Sequence, residues 1–388
     1  MKSHATIVVA FTSLALTLAA CGGGSAPTAA SSPAPGSSAG APAASRSTAA
    51  SSPASSKPAV PASAPASSSP ASAAAGAGLI PLTVSYSAVI GINYPEWVAQ
   101  DAGIFKKNGL NVDLRYIASS KGIAALVAGD VQVADAGGSE TLSAAVGGAK
   151  LTTIAIDGPV YPFVLMAPAN IKTVNDLKGK KVGVSEYGST SDIATRVALE
   201  KEGLNPDKDV TVLAVGSASN RIAAMQSGAI QAGLSFPPNT VKLEQLGFHT
   251  LVDLAQLNLP AVVSTSSVET SYLSAHRDAM QKYVDSLVEA IAWAKSNKTA
   301  TIKIMEKYYK NNNDKVIATA YDYFVGKGVV PALPYPKAEL YRDAAAQLAK
   351  KNAAVKGYDM SKMLDSSFVK SAADRHLDRA MASASASH

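Results

Sequence analysis

Ile123-Ala-Ala-Leu-Val-Ala-Gly129-Asp-Val-Gln132 returns 99 residues later as Ile222-Ala-Ala-Met-Gln-Ser-Gly228-Ala-Ile-Gln231, identical at five of the ten positions. Upstream, a charged helical stretch ends in Gly109-Leu110-Asn111 before the first copy and in Gly203-Leu204-Asn205 before the second. Each copy reads as strand, helix closed by glycine, second strand, second helix closed by glycine, third strand. Glycine suits the residue after a helix because it accepts a positive φ without steric cost. A chain patterned this way folds into two similar α/β lobes in tandem. A cleft lies where the carboxyl ends of their sheets face each other, and ligands of open α/β sheets bind at that edge.

Short apolar runs alternating with amphipathic stretches predict Rossmann-like lobes with largely parallel sheets. The expected strands are Leu82–Tyr86, Val112–Tyr116, Val131–Asp135, Lys181–Ser185, Val210–Val215 and Ile230–Leu234. Beyond the second copy, Ser274–Tyr309, Asn313–Val325 and Lys337–Lys351 read as amphipathic helices, and Pro331, Pro334 and Pro336 interrupt the helical run. This helical C-terminal segment is expected to pack back on the first lobe.

The first residues are of another kind. Lys2 precedes an apolar run from Ile7 to Ala20, too short at about 14 residues to span a hydrocarbon core of roughly 30 Å and typical of a secretory leader. The run closes on Leu18-Ala-Ala-Cys21, which resembles the lipobox of bacterial lipoproteins; acylation of Cys21 would make a membrane anchor. Residues 22–78 are almost entirely Ala, Ser, Pro and Gly, a composition that cannot offset ordering entropy. As a flexible tether they would span on the order of 40 Å. The expected organisation is a signal peptide over 1–20 and a lipidated cysteine with linker over 21–78. Lobe 1 then takes 79–170 and 265–375, lobe 2 takes 171–264, and 376–388 form a flexible tail. With one cysteine in 388 residues no intramolecular disulfide can form, so a packed core of about 310 residues must supply the stability.

Charge excludes one broad class of partner. From Leu79 onward 32 basic side chains stand against 29 acidic ones, a surplus of three, and both signs are interspersed. Without basic runs or interleaved aromatics, no nucleic-acid surface is expected.

Several ordered segments together resemble the substrate-binding proteins of nitrate-, sulfonate- and taurine-type ABC importers, a family with the periplasmic-binding-protein fold of the second topology. They are Tyr94-Pro-Glu-Trp-Val-Ala99, Gly103-Ile-Phe105, Gly109-Leu110, Ala124-Ala-Leu126 to Gly129-Asp-Val131, Asp176-Leu-Lys-Gly-Lys-Lys-Val-Gly183 and Gly188-Ser-Thr190. The resemblance covers about 290 residues. Gln231-Ala232, where the family often has Asp-Ala, and Phe236-Pro-Pro238 after the following strand depart from it. The resemblance implies a monomeric, extracytoplasmic lipoprotein that captures a small molecule of sulfonate, nitrate or aromatic-acid type. Its partners would be an ABC permease and a separate ATPase subunit. Two rivals share the fold: pyrimidine-precursor or menaquinone-pathway enzymes, and ligand sensors that dock on a receptor.

Candidate ligand contacts sit at strand ends. Gly188-Ser189-Thr190 opens a helix whose free N–H groups and dipole favour anions, with capping as the plain alternative. Gly138 and Ser139 hold the equivalent junction in lobe 1, with Glu140 beside them. Ser87, Asn93 and Tyr94 follow the opening strand and Tyr161 the fourth; Tyr187, Ser217 and Phe236 complete the expected lining. Trp97 is read as buried against the sheet and Arg221 as half of a surface ion pair. His4, His249, His276, His376 and His388 lack metal-ligand spacing. There is no Gly-x-Ser-x-Gly elbow and no phosphate loop, so neither catalysis nor a cofactor or metal is expected.

Overall fold

The computed structural model describes residues 78–379. The expected signal peptide, Cys21 and nearly all of the tether lie outside these residues. Of the expected tail only 376–379 are described, where Leu377 still packs against the core.

Among the described residues ten strands form two separate five-stranded sheets. The first sheet contains β1 (Ile80–Tyr86), β2 (Leu110–Tyr116), β3 (Val133–Ala136), β4 (Leu151–Ile156) and β10 (Thr265–Glu269), in the order β2-β1-β3-β10-β4. The second contains β5 (Val164–Pro168), β6 (Lys181–Val184), β7 (Thr211–Ala214), β8 (Ala232–Ser235) and β9 (Phe248–Asp253), in the order β7-β6-β8-β5-β9. The two orders correspond strand for strand: three parallel strands, an antiparallel strand, then the outer edge.

Each sheet is mixed, with four strands running one way and one against them. β10 runs antiparallel to β3 and β4, and β5 antiparallel to β8 and β9, because the chain crosses between lobes twice and inserts a reversed strand after each crossing. The first crossing ends at β5, so residues 164–170, expected in lobe 1, start the second lobe. The crossing segments, residues 157–163 and 254–264, run side by side, with the Ala261 amide donating to Pro159 O (2.9 Å) and the Val263 amide to Gly158 O (2.8 Å).

The repeated decapeptide has a structural explanation in its final residue. Helix α2 (Ser119–Ala128) closes on Gly129 at φ 85°, and in the second lobe the corresponding helix closes near Gly228 at φ 73°. Gln132 then accepts from the Thr83 amide at 2.9 Å through its side-chain oxygen, while its own amide donates to Thr83 O. Gln231 repeats both bonds with Lys181, at 3.1 and 2.8 Å. Each glutamine thus continues the sheet ladder sideways, and β3 and β8 begin two residues later than the apolar pattern predicts.

The other helices that position the site are α1 (Tyr94–Asp101), α3 (Gly138–Val146), α4 (Thr190–Lys201), α5 (Ala218–Gln226), α6 (Arg277–Ser296), α7 (Lys298–Tyr309), α8 (Arg342–Ala349) and α9 (Ser367–Asp374). The amphipathic stretch Ser274–Tyr309 breaks at Asn297, whose carbonyl is taken by the Thr301 hydroxyl. α6 buries one long face against α1, and α9 packs on it in turn. α8 does not follow the expectation of packing on the first lobe alone: it touches α3 of lobe 1 and α4 of lobe 2. Gln347 of α8 and Lys350 just past its end both reach the Glu200 carboxylate of α4. Trp97 is fully buried, its ring stacked 4.8 Å from Tyr308. No helix among the described residues is long and apolar enough to cross a membrane.

Candidate functional site

The lobes meet where the loop after β3 faces the loop after β6. Ser139 Oγ and Thr190 Oγ1 lie 3.2 Å apart, and both converge on Glu140 Oε2, at 2.6 and 3.1 Å. Beside them the Ser120 hydroxyl donates across the gap to Glu186 (2.8 Å). Gly137 makes this approach possible, since a Cβ there would stand 2.3 Å from Thr190 Oγ1. A Cβ on Gly138 would stand 2.3 Å from Val262 Cγ1, so the second crossing segment also depends on a missing side chain.

The helix termini bind part of their own chain. Ser189 caps α4 through the Asp192 amide (3.4 Å), and Asp192 accepts from the Gly188 amide (2.8 Å) and from Arg196 Nε (2.7 Å). The Gly188 amide, expected to face a ligand, is therefore already partnered, and so is the Asp192 amide. In lobe 1 the Gly138 amide donates to Val262 O.

Among the expected residues, Gly138, Ser139 and Thr190 come together at the lobe contact, with Ser189 beside them. Asn93 and Tyr94 are fully buried at the carboxyl edge of the first sheet, while Ser87 is half-buried just beyond β1. Tyr161 and Phe236 line the crossing region: Tyr161 is buried near Arg342 and Asp343, and the Phe236 ring lies 6.1 Å from Phe163. Tyr187 and Ser217 are not brought to the contact. Tyr187 is 59% exposed, its hydroxyl on Val212 O and its ring under Lys351, and exposed Ser217 caps α5.

Arg221 is not half of a surface pair. It is buried, donates from Nε to Leu234 O (2.8 Å) and from Nη1 to Ser185 Oγ (3.1 Å), and has no carboxylate partner among the described residues. Gly183 and Gly233 leave the room its stem occupies; a Cβ on Gly233 would meet that stem at 2.9 Å. Desolvation pushes its pKa down to about 10, so it remains a cation.

Sequence reasoning missed the most unusual feature. Glu96 of α1, Asp135 of β3 and Asp157 just after β4 each bring a carboxylate oxygen within 4.8 Å of the other two, and none is more than 1% exposed. Only Asp135 Oδ1 has a partner, the Ser264 hydroxyl at 2.6 Å, which also stands 3.3 Å from Asn93 Oδ1. The other five oxygens make no hydrogen bond of ordinary length and angle among the described residues, although the Tyr283 hydroxyl stands close to Glu96, and the buried Tyr94 hydroxyl makes none either. Burial first, then mutual repulsion, pushes the Glu96 and Asp135 carboxyls well above the usual carboxylate range. Burial raises Asp157 to about 7. A signal was present: Asp135 and Asp157 interrupt apolar strands at their carboxyl ends, where sites of α/β sheets gather.

Two mixed sheets of matching strand order, joined by a double crossing and closed on each other at their carboxyl edges, make the periplasmic-binding-protein fold. The aliphatic sulphonate binding protein SsuA of Escherichia coli superposes with a TM-score of 0.60 over 73% of this chain and 91% of its own, at 23% identity. The nitrate-binding protein NrtA of Synechocystis gives 0.64 over 76% and 89%, at 15% identity. Residues 93–300 match the family described as NMT1/THI5 like, and the chain belongs to that family. A Brucella abortus relative named as a binding protein is 27% identical over 242 residues, 61% of this chain and 74% of that one.

Proposed function

We propose that this chain is an extracytoplasmic solute-binding protein: it captures a small molecule between its lobes and delivers it to an ABC importer whose permease and ATPase are separate subunits. The observation that carries the reading is the lobe contact itself, in which Ser139, Glu140 and Thr190 close across a gap that Gly137 keeps narrow. Contacts to both lobes give a ligand differential affinity for the closed arrangement, and a permease can read that arrangement. The leader and Cys21 support a lipid anchor outside the cell membrane, with a monomer on a tether. The names of the relatives favour binding over turnover, and SsuA and NrtA make sulfonates and nitrate the first solutes to try.

The test is small-angle scattering with thermal unfolding, on the native chain and on Gly137→Val, against sulfonates, nitrate, aromatic acids, amines and pyrimidines. A true ligand compacts and stabilises the native chain. The valine holds the lobes apart and weakens that ligand at least tenfold. Failure of every solute class to alter compactness or melting temperature overturns the reading.

A further inference from the structure

We infer that Glu96, Asp135 and Asp157 form the seat for a positively charged nitrogen of the captured solute, a protonated amine. The inference rests on the solute-binding reading and adds the polarity of the ligand. Burying one carboxylate without a partner is costly, and burying three together is stable only if protons or a cation compensate them. Tyr94 is the independent indication: its hydroxyl is fully buried, lacks a partner among the described residues, and lies close enough to Asp157 and Glu96 to feel their charges. An acceptor set and a polar phenol thus lie side by side.

The geometry fits an ammonium group. Three N–H bonds of about 2.8 Å along tetrahedral directions place their acceptors about 4.6 Å apart. The three carboxylates each offer an oxygen within 4.8 Å of the others. Calcium, which takes six to eight oxygens, is the competing occupant, because Asn93 Oδ1 and the Ser264 and Tyr94 hydroxyls add neutral oxygens beside the carboxylates, and titration separates the two. The position fits capture too. Asp157 opens the first crossing segment and Ser264 closes the second, so motion of one lobe against the other bears directly on the seat.

The experiment is calorimetric titration of the whole chain at pH 8 with 1,4-diaminobutane, 2-aminoethanesulfonate, benzylamine, their N-acetylated forms, ethanesulfonate, nitrate and calcium chloride. At least one amine is expected to bind, N-acetylation to weaken it by 100-fold or more, and Asp157→Asn and Glu96→Gln each to weaken it at least tenfold. The free Asp157→Asn protein should melt at a higher temperature than the native chain, which separates lost binding from lost folding. Equal binding of amine and N-acetyl forms, or stoichiometric calcium binding lost in Asp157→Asn, overturns the proposal. Binding of ethanesulfonate or nitrate with no amine response overturns it too while leaving solute capture intact. No response to any probe counts against both.

Discussion

Replacing Asp157 by Asn should change how stability depends on pH, and the burial of its carboxyl fixes the direction and the window of the change. In the unfolded chain an aspartate titrates near 3.9. In the folded chain burial holds Asp157 protonated up to about pH 7. Below both values the two states bind the same proton and the group contributes nothing to the balance. Between them the folded state keeps a proton the unfolded state has released, so stability falls as pH rises, by about 1.4 kcal/mol per unit. Above about 7 the loss is complete. Spread over about three units it amounts to roughly 4 kcal/mol, a large part of a typical net stability. Glu96 and Asp135 shift in the same direction and steepen the native curve. Tyr94, Tyr283 and Ser264 are the other polar groups around them. Asparagine has no proton to lose, and removing the Asp157 charge also relieves the other two acids.

Urea unfolding at pH 4.5, 5.5, 6.5, 7.5 and 8.5, followed by tryptophan fluorescence with Trp97 in the core, measures this directly. The stability of Asp157→Asn minus that of the native chain should be small at the lowest pH, grow through pH 5 to 7, and level off near 4 kcal/mol. Parallel curves for the two proteins would refute the reasoning, because they would mean Asp157 has the same proton affinity folded and unfolded.

Two further outcomes follow from local geometry. Gln132→Ala and Gln231→Ala each remove one acceptor from a strand amide, at Thr83 and Lys181, and each should lower stability by about 1 kcal/mol; because they lie in different lobes, the double variant should show the sum in chemical denaturation. Arg375→Ala removes a fork of two bonds, 2.7 and 2.6 Å, from the largely buried Asp285, which then keeps only the Gln281 amide at 2.8 Å. The expected loss is about 2 kcal/mol, held down by the exposure of the arginine and read as a lower urea midpoint.

Local pattern was enough to anticipate the duplicated architecture. The recurrence of the Ile-Ala-Ala decapeptide marks two units of one kind, and six of the ten strands overlap the apolar runs that announced them. Gly129 and Gly228 are legible as helix stops because backbone sterics act over a few residues. Helix caps are local in the same way: Ser189 acts as the cap that stood as the alternative to ligand contact, and Ser217, expected in the ligand lining, acts as a cap as well.

Only the tertiary fold decided which strands pair antiparallel, since β5 and β10 owe their direction to a chain that crosses twice between lobes. It also turned Arg221 from an apparent surface residue into a buried cation, through space left by glycines 38 residues before it and 12 after it. Above all it gathered Glu96, Asp135 and Asp157, which are separated by 39 and 22 residues in the chain. Asp135 and Asp157 each mark the end of an apolar strand, but nothing local joins them to each other or to Glu96. Their shared burial, and with it the chemistry of the site, exists only where a helix start, two strand ends and a crossing segment converge.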